Sequence, residues 1–181
     1  LGKFYTINCS RVSSGRGFGD PISLLIDKND NEEVLFFKIY EQDKEFLITS
    51  SAGKGFFVNS NDFIASTKSG KKVMNLKDND RAVSCAEKKG DLIVSISGEK
   101  KSFKLLAFNS SEIPNMQKGR GVTLQKFKSG KTLNAFCADS NEGIINERSK
   151  KVLLSAKDLK KWLGKRAQAG RIEPKNLHSK I

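Results

Sequence analysis

Short runs of β-branched, aliphatic and aromatic residues, separated by breaks rich in glycine, asparagine and serine, recur along the whole chain. They predict strands at residues 3–7, 24–26, 34–39, 46–49, 56–58, 73–76, 82–86, 92–96, 103–108, 122–127, 133–137 and 152–154. Breaks at Ser51-Ala52-Gly53, Lys89-Gly90-Asp91, Ser97-Gly98-Glu99 and Ser129-Gly130-Lys131 are short enough to join neighbouring strands as hairpins. A helical period is confined to residues 155–164. There Ser155 is placed to cap, Leu159, Trp162 and Leu163 share a face, and Gly164 stops the turn. The ten residues after Arg171 carry no pattern and read as a tail. The pattern predicts an all-β chain of short strands.

A larger period lies over the strands. The stretch NSSEIPNMQKGRG, residues 109–121, combines a short turn, an apolar anchor and a glycine-rich basic box. The same layout occurs from Asn8 into Gly15-Arg16-Gly17, from Asn59 into Lys68-Ser69-Gly70-Lys71-Lys72, and from Ser155 into Gly164-Lys165-Arg166 and Gly170-Arg171. The apolar anchors Val12, Phe63, Ile113 and Leu159 stand 51, 50 and 46 residues apart. A period of this size marks a repeat array, because one unit of a few strands cannot bury its own apolar face. Units fall at 1–43, 44–90, 91–143 and 144–175, with a basic tail at 176–181. The anchor turns are expected to be single helical turns, since Asn59 and Asn109 are each followed three residues on by an acid. The first unit lacks an opening strand and the last its closing strands. That is the pattern of a ring completed by further chain, or of an open spiral, in a piece of a longer protein.

Charge adds a direction to this picture. The formal net charge is +13, and residues 148–181 carry 11 Lys/Arg against two acids. Such a field favours a polyanion, nucleic acid or an acidic membrane surface. A basic tail alone is commonly no more than a solvated segment, but a basic box in every repeat favours nucleic acid. A glycine beside Lys or Arg has a physical use against a phosphate: with no Cβ the backbone N–H can approach it, and the cation neutralises it and releases counterions. Carried around a disc, the boxes would present Arg16, Lys68, Lys71, Lys72, Lys118, Arg120, Lys165, Arg166 and Arg171 along one curved rim. Such a rim suits a bent duplex held through its backbone with little base readout.

Other chemistry finds little support. Cys9, Cys85 and Cys137 are odd in number, lack metal-ligand spacing and sit among small or apolar neighbours, so buried reduced thiols are expected. Gly15, Gly17 and Gly19 precede Asp20-Pro21 and not a helix, which marks a turn and not a nucleotide loop. His178 is the single histidine and falls in the expected tail. No Walker loop, GxSxG, HExxH or paired-carboxylate arrangement occurs, and no run is long enough to span a bilayer. Phe18, Phe63 and Trp162 could stack on bases. Core packing is the better reading for the last two, which leaves Phe18, set among glycines, as the aromatic to test.

Four passages carry a family resemblance: GKFYTINCSRVSSGRGFGDPIS (2–23), ITSSAGKGFFVNSNDFIASTKSGKKVMNL (48–76), FNSSEIPNMQKGRGVTLQKF (108–127) and KKVLLSAKDLKKWLGKRAQAGRI (150–172). Over nearly all of residues 1–175 the chain resembles the C-terminal domain of the A subunit of bacterial DNA topoisomerase IV, a relative of the gyrase A tail. The resemblance implies a β-pinwheel, a propeller-like disc of about four blades that exchange strands. It also implies a rim that binds and bends duplex DNA and steers the transported segment for decatenation, relaxation and chromosome segregation. No catalytic residue and no cofactor is expected in this domain. The parent enzyme would use ATP and Mg²⁺ elsewhere, as an A-subunit homodimer with a B (ATPase) subunit, in the bacterial cytoplasm at the nucleoid. The gyrase tail carries a Gln-Arg-Arg-Gly-Gly-Lys-Gly box in its first blade. Here the nearest passage, Gln117-Lys118-Gly119-Arg120-Gly121, is shorter and lies in an inner repeat, which favours topoisomerase IV over a gyrase A wrapping domain. A reading of another class is a protein-interaction propeller with a basic tail; RNA binding is disfavoured because no aromatic platform is present.

Overall fold

The computed structural model describes residues 2–15, 17–29, 31–100, 102–146, 149–174 and 177–181. In chain order the strands are β1 (Lys3–Phe4), β2 (Glu45–Ser50), β3 (Lys54–Asn59), β4 (Lys71–Lys72), β5 (Ala82–Glu87), β6 (Leu92–Glu99), β7 (Ser102–Asn109), β8 (Val122–Thr123), β9 (Lys131–Ala138), β10 (Ile144–Ile145), β11 (Val152–Leu154) and β12 (Arg171–Ile172). They form two antiparallel four-stranded sheets, β5-β2-β3-β8 and β12-β7-β6-β9, flanked by the pairs β1-β4 and β10-β11. Each large sheet is built on a tight hairpin. Gly53 turns β2 into β3 at φ +73°, and Lys100 turns β6 into β7 at φ +54°.

The sheets lie as successive layers, and three apolar cores fill the spaces between them. In β3, period-2 alternation sends Phe56 and Val58 to the core shared with the first unit and Phe57 to the core shared with the next sheet. In β7, Leu106 and Phe108 meet Phe57 in that middle core, while Leu105 and Ala107 face a third core with Ile144, Leu154 and Leu159. Both faces of each large sheet are therefore dry, which explains the near-continuous apolar runs in β2, β6 and β7. Phe56, Phe57 and Phe108 are fully buried, and burying each contributes about 1.5–3 kcal/mol. The fold is an all-β, propeller-like array whose sheets do not close on one another among the described residues.

The anchor turns are single helical turns, as expected. Asn8, Asn59 and Asn109 cap 3₁₀ turns at Cys9–Arg11, Ser60–Phe63 and Ser110–Glu112. Each side-chain oxygen accepts from the N–H two residues on. In the last unit Ser155 caps α1 (Ala156–Leu159), accepting from Asp158 N–H and donating its hydroxyl to Asp158 Oδ2, and a further 3₁₀ turn runs from Lys160 to Trp162. Leu159 and Ile113 are buried, whereas Val12 is 52% exposed, because no sheet covers the first unit on that side among the described residues.

Three expected strands come out differently. Residues 24–26 belong to a 3₁₀ turn at Ile22–Leu24 and the bend directly after it. Residues 34–39 join no ladder. Phe36 packs on Phe46, Lys38 bonds Glu87 and Tyr40 donates to Asn61, while Leu35, Phe37 (80% exposed) and Ile39 face outward. The alternation of an edge strand is present, and the hydrogen-bonded partner that would make it one is not described. The strand expected at 73–76 lies two residues earlier, in β4, because the pairing follows the basic box and not the apolar residues behind it.

The expected tail is also corrected. Leu177 is 3% exposed in the third core, and His178 bonds Glu173 and packs its ring on Phe103. Two side chains without periodicity are enough to pin the segment, and period is the only signal a pattern search can use. Among the thiols, Cys9 is exposed, contrary to expectation. Cys85 and Cys137 are half-buried, and burial pushes the Cys85 thiol up to about 12, so it stays protonated and unreactive.

Candidate nucleic-acid interface

Each basic box returns to pair with the strand of the unit before it. β4 pairs β1, β8 pairs β3, and β12 pairs β7. Three identical contacts mark the equivalence: Val73 N–H donates to Gly2 C=O, Leu124 N–H to Gly53 C=O and Glu173 N–H to Phe103 C=O, at 3.0, 2.8 and 3.0 Å. The boxes are thus the strands exchanged between units.

A glycine opens each exchanged strand. Gly70, Gly121 and Gly170 have φ of +76°, +76° and +75°, and Gly19 holds the corresponding place in the first box at +71°. These four stand 51, 51 and 49 residues apart, a tighter register than the apolar anchors give. A Cβ at Gly121 would run into the Gly55 carbonyl, one at Gly170 into the Leu105 carbonyl, and one at Gly70 would lie 2.8 Å from the Phe4 oxygen. Positive φ and close backbone approach together restrict these sites to glycine. This packing role, signalled by the near-constant spacing of the glycines, is separate from the phosphate cradle expected of them from their basic neighbours.

The boxes also bond to one another. Gly119 N–H donates to Val73 C=O (3.0 Å) and Asn75 N–H to Gly119 C=O (2.7 Å), joining the second box to the third. Ala167 N–H donates to Leu124 C=O (2.7 Å) and Lys126 N–H to Gln168 C=O (3.0 Å), joining the third to the fourth. The result is one continuous backbone edge across three units.

Along that edge Lys71 and Lys72 on β4, Lys118 before β8, Lys165 before β12 and Arg171 on β12 are exposed. Lys68 is exposed too, with its ammonium on the Leu24 carbonyl (3.0 Å). Two of the expected contacts are less available. Arg166 is half-buried: its Nη1 donates to Thr123 C=O and its N–H to Glu112 Oε2, both at 2.9 Å, so it clasps the fourth box to the third. Arg120 is half-buried with its Nε unpartnered among the described residues. Arg16 lies outside the described residues. By their basic residues Arg120 aligns with Arg166, but in the backbone Val122 is equivalent to Arg171, because α1 and its 3₁₀ turn lengthen the stretch between the cap and the strand-opening glycine in the last unit. Phe18 is fully exposed, whereas Phe63 stacks on Phe4 (3.9 Å between centroids) and Trp162 donates to Ile172 C=O.

Charge divides between the two ends of the strands. At the anchor-turn end of the first large sheet, Glu87 bonds Lys38 and lies 3.7 Å from Lys44, and Glu45 pairs Lys88 at 2.7 Å. The Lys38 hydrogen bond and the surrounding ammonium groups hold the Glu87 carboxyl below its ordinary range, and the hydrogen bond to Glu87 in turn raises Lys38. At the box end Lys71, Lys72, Lys118 and Lys165 make no ion pair among the described residues. Among the described residues no group of three His, Cys, Asp or Glu side chains is arranged to hold a metal ion, and no helix is long and apolar enough to cross a membrane.

This geometry defines a class: a layered β-array whose units exchange their basic edge strands. Residues 44–86 and 107–136 match the family model described as the DNA gyrase C-terminal domain, beta-propeller. The A subunit of DNA topoisomerase 4 from Rickettsia felis is 41% identical over 98% of this chain and 23% of its own length. That of Caulobacter vibrioides is 29% identical over 97% and 23%. Among solved structures the fold is similar to the Escherichia coli ParC C-terminal domain, at TM-score 0.81 and 23% identity over 97% of this chain and 74% of that one. It is also similar to a DNA gyrase A C-terminal domain, at TM-score 0.67 and 26% identity over 96% and 59%. The chain belongs to the family of C-terminal domains of the gyrase A and topoisomerase IV A subunits, the β-pinwheels. It spans about a quarter of the length of the topoisomerase 4 subunits it matches.

Proposed function

We propose that this domain binds duplex DNA without sequence preference, bends it along the box edge, and so steers the transported segment for a bacterial topoisomerase IV. In that reading the chemistry of strand passage, with its ATP and Mg²⁺, lies elsewhere in an A-subunit homodimer joined by the B (ATPase) subunit. The assembly works at the nucleoid in the cytoplasm, in decatenation, relaxation and chromosome segregation. One observation carries the proposal: three successive boxes are bonded backbone to backbone into a single edge, and its exposed cations have no acidic partners among the described residues. A duplex is the polyanion whose repeating phosphates suit such an edge, and curvature along the array would bend it.

The test is binding of a labelled linear duplex by the chain across a salt series. The expectation is a steep fall of affinity with salt and indifference to sequence. Lys118→Glu with Lys165→Glu should reduce the salt slope by about two units. Lys157→Glu with Lys160→Glu, on the anchor-turn side, should change it little. Lys38 is unsuited as a control because it is bonded to Glu87. Equal loss from both pairs would overturn the rim reading.

A further inference from the structure

The exchanged strands bring a second set of lysines into register, one that no basic box contains. In the ladder, Lys3 is the cross-strand partner of Lys72, Lys54 of Thr123, and Lys104 of Ile172. Lys3, Lys54 and Lys104 are 51 and 50 residues apart, and each faces the residue two places beyond a strand-opening glycine, Gly70, Gly121 or Gly170. They hold one structural position in three successive units. We infer that this lysine register, together with Lys72, is a phosphate track of the DNA-binding edge, and that the half-buried Arg166 serves to fix the edge and does not contact DNA. The inference rests on the DNA-binding reading above and deepens it.

Three observations support the track. Directly opposed residues in an antiparallel pair share a face, with Cβ atoms about 4.5–5.5 Å apart, and like charges there are destabilising. Lys3 and Lys72 are such a pair, both are exposed, and neither has an acidic partner among the described residues. A polyanion lying across them would remove the repulsion. Lys104 is likewise exposed and unpaired among those residues, and Lys54 donates only to the Thr123 hydroxyl (2.6 Å), a neutral group that leaves its charge uncompensated. Finally, at the anchor-turn end of the first large sheet Lys38 and Lys88 are bonded to Glu87 and Glu45. In that sheet lysine is matched by acid at the anchor-turn end, whereas Lys54, at the end where the boxes run, makes no ion pair among the described residues. Arg166, by contrast, already commits its guanidinium to the Thr123 carbonyl.

The experiment compares two triple variants of equal charge change, Lys3→Ala/Lys54→Ala/Lys104→Ala and Lys151→Ala/Lys157→Ala/Lys160→Ala, by fluorescence anisotropy with a labelled linear duplex across a salt series. The register variant should lower the slope of log affinity against log salt by about two to three units, at about 0.9 for each phosphate no longer neutralised. The control variant should leave the slope within about half a unit of the original. Lys3→Ala/Lys104→Ala, confined to exposed positions, should lower it by about two and guards against a packing effect of Lys54→Ala. Register variants that track the control, while Lys118→Glu/Lys165→Glu still lowers the slope, would overturn the lysine track and leave DNA binding standing. An unaltered chain without salt-dependent binding would overturn both.

Discussion

The strand-opening glycines allow the cost of strand exchange to be separated into two parts. Gly19 and Gly121 share a repeat position and nearly the same backbone, φ +71° and +76°. A Cβ at Gly19 would meet nothing within 4 Å. At Gly121 it would run into the Gly55 carbonyl oxygen and lie 2.6 Å from its carbon and 2.8 Å from Phe56 Cδ1. Gly19→Ala thus tests the left-handed backbone alone, at about 1–2 kcal/mol. Gly121→Ala adds a collision with backbone and a buried ring, neither of which can move without parting β8 from β3. Losing those two ladder pairs adds about 1 kcal/mol each, so Gly121→Ala should cost about 3–4 kcal/mol in all. For a domain of this size 1 kcal/mol corresponds to about 2–4 °C in unfolding midpoint. Calorimetry or circular dichroism should then give a fall of about 2–8 °C for Gly19→Ala and about 6–16 °C for Gly121→Ala, the second about two to three times the first. Equal falls would refute the claim that close approach to β3, and not φ alone, demands glycine in the exchanged strand.

Two further outcomes are expected from the same geometry. Arg166→Ala should destabilise the fold by about 1–2 kcal/mol through removal of the bond to Thr123, while the neighbouring exposed Lys165→Ala should stay within about 0.5 kcal/mol. Chemical denaturation distinguishes them, and reversed magnitudes would count against the clasp. The Lys38–Glu87 pair predicts a pH dependence. Glu87 is depressed, so its contribution is complete above the ordinary carboxylate range and is lost as pH falls through its folded value. Lys38 is raised, so its contribution is complete below the ordinary lysine value and is lost as pH rises through its folded one. The gap in unfolding midpoint between the original chain and Glu87→Gln should be flat at neutral pH, narrow in acid below about pH 4, and narrow again above about pH 10. A gap that persists unchanged into acid would exclude the ion pair as its cause.

The one-dimensional order of this chain was strong enough to carry the repeat, the long strands β2, β3, β5, β6, β7 and β9 of the two central sheets, and the capped turns at Asn8, Asn59, Asn109 and Ser155. Each of these depends on local chemistry: alternation that buries β3 and β7, a side-chain oxygen facing an orphan N–H, a glycine that permits a turn. Their family likeness was legible for the same reason, since it lies in the spacing of such signals. What the chain does with its box strands was not local. Whether Lys71-Lys72 or the apolar residues behind them would form the strand depended on a partner, β1, nearly seventy residues away. The segment at 34–39 has the right residues for a strand and remains without a ladder among the described residues, because β structure is completed by a neighbour and cannot be encoded by one segment alone. Leu177 and His178 were unreadable because two contacts without period leave no pattern. The basic residues divide on the same principle. Composition identified the cations; tertiary pairing alone decided that Arg166 closes a joint, that Lys38 is neutralised by Glu87, and that Lys3 stands beside Lys72. Charge is a property of the residue, whereas its availability to a ligand is a property of what the fold has already placed next to it.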